Sequence, residues 1–167
     1  MDRLNLRGLT TNNISVNLTL PSTSVHSTTV TSQCVINGKF GTAVTAITTG
    51  TTPVTDANTG AAFRALGVNK ATVLVFGFPL AGGTVMAMCQ GSIEDTDVGV
   101  TTTVGGFRKS PQWPALPDDF CPVAYALVRT APDAASWIPG TGAWDASGVT
   151  TSTVQNVFVL PVRPVAA

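Results

Sequence analysis

The residues whose types could support catalysis are few in this chain. His26 is the only histidine, and it lies in a stretch rich in Ser and Thr. A Ser-His-Asp triad or a Cys–His pair would have to use it, and no G-x-S-x-G motif is present to supply a serine nucleophile. We therefore interpret His26 as an ordinary solvated or hydrogen-bonded side chain.

The cysteines do not have the spacing of a metal site or a disulfide framework. Cys34, Cys89 and Cys121 are odd in number and far apart in the sequence. Structural zinc sites draw their ligands from closely spaced pairs of Cys or His. Each cysteine instead lies in an apolar, strand-like run, so we expect three buried free thiols. The sequence predicts no metal and no cofactor.

Two acidic groups could in principle act on a substrate. Glu94, Asp95 and Asp97 lie together, and Asp118 is followed directly by Asp119. Paired carboxylates can hydrolyse glycosides or bind calcium. Neighbouring acids on a loop are more typical of a solvated turn, and the sequence contains neither a calcium loop nor a phosphate-binding loop. Together with the isolated histidine, this predicts that the protein is not an enzyme.

Low charge limits the classes of partner. Nine basic residues balance nine acidic ones, and charged residues make up only 11% of the chain, against about 25% in an average soluble protein. Binding to nucleic acid depends on neutralising phosphates, so we expect no direct nucleic-acid partner. The start of the chain lacks the apolar core of a signal peptide, and no apolar run is long enough to cross a bilayer. We expect synthesis in a reducing cytoplasm and no membrane partner.

The three tryptophans are candidates for contacts with other molecules. Trp113, Trp137 and Trp144 all lie in segments flanked by Pro or Gly. They could fix loops onto the domain's own core, or they could form anchors between subunits, since Trp is enriched at interface hot spots. A third alternative is stacking on sugars in a carbohydrate-binding module.

The elements that must position these residues are short strands. Thr accounts for 26 residues and Val is also frequent, and both favour strands, while 16 Gly and 11 Pro mark the turns. The dipeptide Asn37-Gly38 predicts a hairpin between residues 30–36 and 39–47. The apolar run at 71–78 predicts a strand covered on both faces, followed by a second hairpin to residues 84–93. Further strands are predicted at 121–130 and 154–160, and a long loop or pair of short strands at 132–148.

One helix is expected. Asp56 or Asn58 could cap a short helix at residues 61–66, and Gly67 could end it. The sequence therefore predicts a mainly β, all-β chain: a single-domain antiparallel β-sandwich or barrel-like fold with one short helix, spanning residues 28–167.

Residues 1–27 are predicted to form an extended N-terminal arm. A possible strand at 14–20 shows alternating apolar residues, and the arm could add a strand to an exposed sheet edge of a neighbouring subunit. The candidate interface residues are apolar or aromatic: Leu4, Leu6, Leu9, Ile14, Val16, Leu18, Trp113, Trp137 and Trp144.

Several segments resemble a family of small virion proteins of tailed bacteriophages. The resemblance covers about residues 30–164 and rests on TDANTGAAF (55–63), QGS (90–92), PQWPALPDDFCP (111–122), AYALV (124–128) and LPVRP (160–164). It implies a head decoration or cement protein, a β-rich homotrimer that binds the major capsid protein on the outer capsid surface. It implies no catalytic residue. A tail or fibre component that contacts a host surface, and a carbohydrate-binding module, are the alternatives.

Overall fold

The computed structural model describes residues 11–12, 15–21, 24–36, 38–81, 85–158 and 160. These residues form an all-β structure, and none of them is in a helix. The ten strands are β1 Thr11–Asn12, β2 Val25–His26, β3 Cys34–Ile36, β4 Lys39–Phe40, β5 Gly50–Thr51, β6 Lys70–Pro79, β7 Ala87–Asp95, β8 Phe120–Thr130, β9 Val149–Thr151 and β10 Gln155–Asn156.

The three long strands form the centre of the protein. Strand β6 lies between β7 and β8 and pairs antiparallel with both, and the β6–β8 ladder extends from Ala71 opposite Arg129 to Pro79 opposite Phe120. The predicted apolar strand at 71–78 and the strand at 121–130 are thereby confirmed, and the hairpin partner predicted at 84–93 corresponds to β7, which begins and ends later in the chain. The short strands β9 and β10 pair with successive parts of β8 and complete the other edge.

Both faces of this sheet are buried, because successive side chains of a strand point to opposite faces. Leu74 and Phe76 belong to a large cluster covered by apolar side chains from the described part of residues 16–47 and by residues 137–149. Val73 and Val75 belong to a smaller cluster on the other face, covered in part by Trp113. The central sheet is therefore a middle layer, and the sheets formed by the described residues do not close on themselves.

The hairpin predicted at Asn37-Gly38 is confirmed. Strand β3 pairs antiparallel with β4, and an isolated bridge between Ser32 and Val44 continues the pairing. Gly38 has a φ of 76°, the positive value that this turn requires and that glycine adopts without strain. Asn37 itself lies outside the described residues.

The helix predicted at residues 61–66 is wrong, because the backbone bonds there are not local. Ala62 forms a bridge with Thr55, and Leu66 exchanges backbone hydrogen bonds with Trp137. The N–H of Arg64 donates to the Gln90 side chain at 2.9 Å. Asp56, the expected helix cap, instead accepts hydrogen bonds from the backbone N–H groups of residues 58 and 59 and closes a turn.

The N-terminal segment lies on the chain's own domain where it is described. Val16 and Leu18 are buried in the large cluster, and Asn17 between them is exposed, so the predicted alternation holds. A bridge from Thr19 to Ser27 is the pairing found there, and residues 15–20 form no named strand. The predicted last strand is represented by β10, with one further bond from the N–H of Val157 to Val123 O. The domain boundary at residue 27 stays a prediction.

Candidate functional site

A groove lies beside the β9–β10 edge of the central sheet. It has a volume of about 750 Å³ and opens to solvent, and residues 18–21, 144–145, 149–154 and 156 line it. The segment at 18–21 forms one wall, and the N–H of Leu18 is held to the Asn156 side chain by a 2.7 Å hydrogen bond. Threonine and apolar side chains dominate the lining, and Asp145 contributes the one charged side chain among the described lining residues. The lining residues include no Lys, Arg or His that could pair with an anion.

Trp137 and Trp144 fix the long loop at 132–148 to the core. Their rings lie 5.3 Å apart, and Trp144 also meets Phe76 edge-on. The indole N–H of Trp137 donates to Ala143 O and that of Trp144 donates to Val25 O. Their exposures of 3% and 4% leave no ring face for a sugar or a partner in this conformation. These two residues therefore fix the loop to the core of the domain.

The other candidate interface residues fall into three groups. Val16 and Leu18 are buried in the chain's own core. Trp113 is half-buried and packs edge-on against Tyr125, with ring centres 5.0 Å apart, so part of its ring remains accessible. Leu4, Leu6, Leu9 and Ile14 lie outside the described residues, and their role at an interface stays a prediction.

Large apolar side chains are exposed at the two ends of strand β7. The turn end consists of Phe40 and Val85, which are 76% and 73% exposed. Val85 directly precedes β7, and the segment after Phe40 is tied to the β6–β7 connection by a hydrogen bond from Thr42 N–H to Leu80 O. Sequence reasoning did not single out these two residues, although the confirmed Asn-Gly turn should have drawn attention to Phe40 on its exit strand.

The hairpin end lies beyond the other end of β7. Thr96 bridges Phe107 and Val100 bridges Thr103, so residues 96–107 fold back on themselves directly after the strand. Val98 and Val100 near its tip are 71% and 73% exposed. Strand β7, which lies between the turn end and the hairpin end, has nine residues and is about 26 Å long. Sequence reasoning treated this segment as polar and missed both valines.

The acidic residues beside the hairpin all form ion pairs. Each carboxylate has a separate cation: Asp97 lies 3.0 Å from Arg108, and Glu94 lies 3.5 Å from Lys109. Asp95 pairs with Lys70, whose hydrogen bond holds the pKa of that carboxyl below its usual value. Ion pairs between exposed side chains, such as those of Asp95 and Asp97, contribute little stability. Asp95 and Asp97 are solvated as predicted, but Glu94 and Asp95 belong to β7 rather than to a loop, and the Glu94 side chain is mostly buried.

The cysteines are buried free thiols, as expected. Burial raises the pKa of Cys89 to about 12, and the nearby carboxylate of Asp56 adds to that effect. A thiol-to-thiol hydrogen bond between Cys34 and Cys121 lowers the pKa of the former and raises that of the latter. Among the described residues, no three His, Cys, Asp or Glu side chains are grouped as metal ligands.

His26 is neither solvated nor hydrogen-bonded, so its interpretation is corrected. Its side chain is 1% exposed, and neither ring nitrogen has a hydrogen-bond partner in the described part of the chain. Pairing of β2 with β5 turns the side chain inward, which no local feature of the sequence indicates.

Comparisons with protein families, with curated proteins and with solved structures find no match. No helix in the ranges that the structure describes could span a membrane.

Proposed function

We propose that this protein is a head decoration, or cement, protein of a tailed bacteriophage. In this role it binds the outer surface of an assembled capsid and stabilises it, and it has no catalytic function. The observation that carries the proposal is the pair of exposed apolar ends, Phe40 with Val85 and Val98 with Val100, at opposite ends of one buried strand layer. The family resemblance supplies the identity of the partner.

The apolar ends suit a protein that joins two neighbours. Exposed apolar groups that lose contact with water on binding contribute about 25 cal/mol per Å². An element about 26 Å long with such groups at both ends can contact a different subunit at each end. The central ladder between them, in which β6 pairs with a strand on each side and each pairing has one register shift, keeps the two contacts apart. A protein that bridges two subunits needs this combination of a fixed length and an exposed apolar surface at each end.

The charge distribution favours contact with protein over contact with packaged DNA. The chain has no net charge, and near the hairpin end Lys70, Arg108 and Lys109 are each paired with an acid. A further cation, Arg129, donates to Gly105 O and lies over the Phe107 ring, so the charge at this end is close to balanced and offers little to a phosphate backbone. Binding driven by such a surface should depend only weakly on salt.

A homotrimer is part of the proposal. Closed symmetric oligomers are the general rule for proteins that associate with themselves. A trimer presents three copies of each contact, so after the first contact forms the others meet their targets at high effective concentration. Each contact can then be weak, which fits a few exposed apolar side chains at each end rather than one extended interface.

The test is thermal release of the genome from particles. Particles that carry the protein should release DNA at a higher temperature than particles without it, because a ligand that binds only the assembled shell stabilises that shell. Equal release temperatures would refute the cementing role. Electron microscopy of the same particles would show whether the protein sits on the head or on the tail, and a tail position would favour the fibre alternative.

Matched variants make the test specific to the apolar ends. The double variant Val98→Asp with Val100→Asp should lose occupancy on particles, and so should Phe40→Asp. The control is Val54→Asp, which changes an exposed valine that belongs to neither end. If all three variants bind particles as the unmodified protein does, the two ends are not the capsid contacts.

A further inference from the structure

A two-stranded ribbon, β2 with β5, encloses the only histidine. His26 lies opposite Gly50 in this ribbon, and Val25 lies opposite Thr51. The imidazole packs directly on the glycine: a Cβ atom at Gly50 would lie 2.4 Å from His26 Nε2. No side chain larger than hydrogen fits there, so the histidine ring fills the space that the strand partner leaves.

The interior around the ring offers no compensation for a positive charge. Neither nitrogen of His26 has a hydrogen-bond partner in the described ranges, and the same holds for the buried hydroxyl of Thr52, which follows β5. Burial lowers the pKa of His26, and no charged group contributes to the change. The loop that packs against the ribbon contributes Trp144, and the charged residue next to it in the sequence is Asp145, whose side chain is exposed. From β5 and its flanks the neighbours are Gly50 and Ile47, which carry no charge.

The ribbon supports one wall of the groove. The indole N–H of Trp144 donates to Val25 O at 3.2 Å, and Trp144 lines the groove. Beyond the two paired residues of each strand, the ribbon is held at one end by a bond from Thr52 N–H to Ser24 O at 3.3 Å and at the other by a bond from Thr28 N–H to Ile47 O at 2.8 Å. Trp137 is equally buried, but its indole N–H donates to Ala143 O within its own loop. The indole hydrogen bond of Trp144 therefore depends on the ribbon, whereas that of Trp137 does not.

We infer that His26 makes the β2–β5 ribbon an acid-sensitive clamp on Trp144. When the imidazole takes up one proton from solvent and becomes an imidazolium ion, the closed ribbon would hold an unpaired buried charge, so the ribbon opens and the charge reaches water. Opening breaks the bond from Trp144 to Val25 and releases one wall of the groove. This inference does not depend on the proposed capsid role.

The direction of the pH dependence follows from the two protonation equilibria. In the open ribbon, His26 has its ordinary pKa of about 6.5, and in the closed ribbon the pKa is lower. The open form therefore binds more protons below about pH 6.5. The clamp is fully closed above that pH and weakens as the pH falls toward the lowered value. The window between pH 7.5 and 5 brackets the ordinary pKa of a histidine, and His26 is the only histidine of the chain.

The experiment measures hydrogen exchange of the two indole N–H groups by NMR on the full chain. The ratio of the Trp144 rate to the Trp137 rate cancels the intrinsic pH dependence of indole exchange. We expect this ratio to rise by up to about tenfold per pH unit below pH 6.5. A constant ratio would overturn the inference. Parallel acceleration at both indoles would also overturn it, because that pattern indicates global unfolding rather than a local clamp.

Two further measurements guard against a folding artefact. In His26→Gln, which stays neutral, the Trp144-to-Trp137 ratio should not change between pH 7.5 and 5. If that variant does not fold, the ring protons of His26 in the unmodified protein still decide the matter, since no other histidine contributes signals. If the chemical shifts of the His26 ring protons in the folded protein do not change near pH 6.5, the clamp is supported. If these chemical shifts titrate at pH 6.5 or above while the protein stays folded, the ring becomes charged without opening of the ribbon, and the clamp is overturned.

Discussion

The central sheet and the β2–β5 ribbon are both buried, but different interactions hold them. Strand β6 pairs along its whole length with β8, and all of its side chains between its first and last residues are buried. The ribbon has two residues in each strand and encloses polar side chains, among them His26 and Thr52. Packing of apolar surface is distributed over many atoms, whereas the ribbon depends on a few specific bonds. The stability of the central sheet should therefore depend on the volume of its buried side chains. The stability of the ribbon should depend on its polar contacts and on its charge.

The largest expected effect is on the central sheet. Phe76 is fully buried, and its ring meets Trp144 at 6.2 Å. Phe76→Ala should lower the free energy of unfolding by about 3–5 kcal/mol, because it removes buried apolar surface and leaves a cavity. Urea denaturation followed by tryptophan fluorescence and by far-UV circular dichroism measures the change. Phe158→Ala is the control, since Phe158 is half exposed and should cost far less. Equal losses in the two variants would contradict the assignment of Phe76 to the core.

An intermediate effect is expected where the ribbon meets the loop. Trp144→Phe removes the indole N–H and leaves Val25 O without that donor, while most of the aromatic surface remains. An unsatisfied buried polar group costs about 1–3 kcal/mol, and the same measurement should detect that loss. Hydrogen exchange of the ribbon amides should increase, while that of the β6–β8 ladder should stay slow. Acceleration of the central ladder to the same extent would show that the two regions unfold together and that the comparison is wrong.

The two regions also differ in how well the sequence predicted them. The strand at 71–78 could be predicted because a continuous apolar run needs cover on both faces, and that requirement is local. The helix at 61–66 was wrong because Asp56 and Gly67 satisfy the rules for helix ends, while the bonds that decide the conformation come from distant residues. The side chain of Gln90 binds both the N–H and the C=O of Arg64, which holds this segment extended along β7.

The candidate site was harder to predict than the fold for the same reason. Exposure of Val98 and Val100 depends on the hairpin at 96–107 extending beyond the sheet, and burial of His26 depends on pairing across 24 residues of chain. Trp137 and Trp144 lie in a loop by sequence, and only the tertiary contact between their rings shows that they belong to the core. Patterns within a short window can predict strands, but they cannot indicate which loop returns to cover which face.

The smallest expected effect on stability is at the hairpin end, and it separates folding from binding. Val98 and Val100 contact solvent over most of their surface. Replacing both with Ser should therefore change the free energy of unfolding by no more than about 0.5 kcal/mol per residue, as is usual for exposed positions. Differential scanning calorimetry should show nearly the same transition temperature as for the unmodified protein.

If the hairpin end is a contact with a neighbouring molecule, the same double variant should still lose occupancy on capsids or shift from trimer to monomer in light scattering. Serine removes apolar surface without adding charge. A loss of binding in this variant would therefore be caused by the missing apolar contact rather than by charge repulsion. The matched variant Val54→Ser alters an exposed valine away from both ends and should behave as the unmodified protein does. A double variant that is equally stable and equally associated would leave the hairpin end without a binding role, and the turn end at Phe40 and Val85 would then have to provide the contact alone.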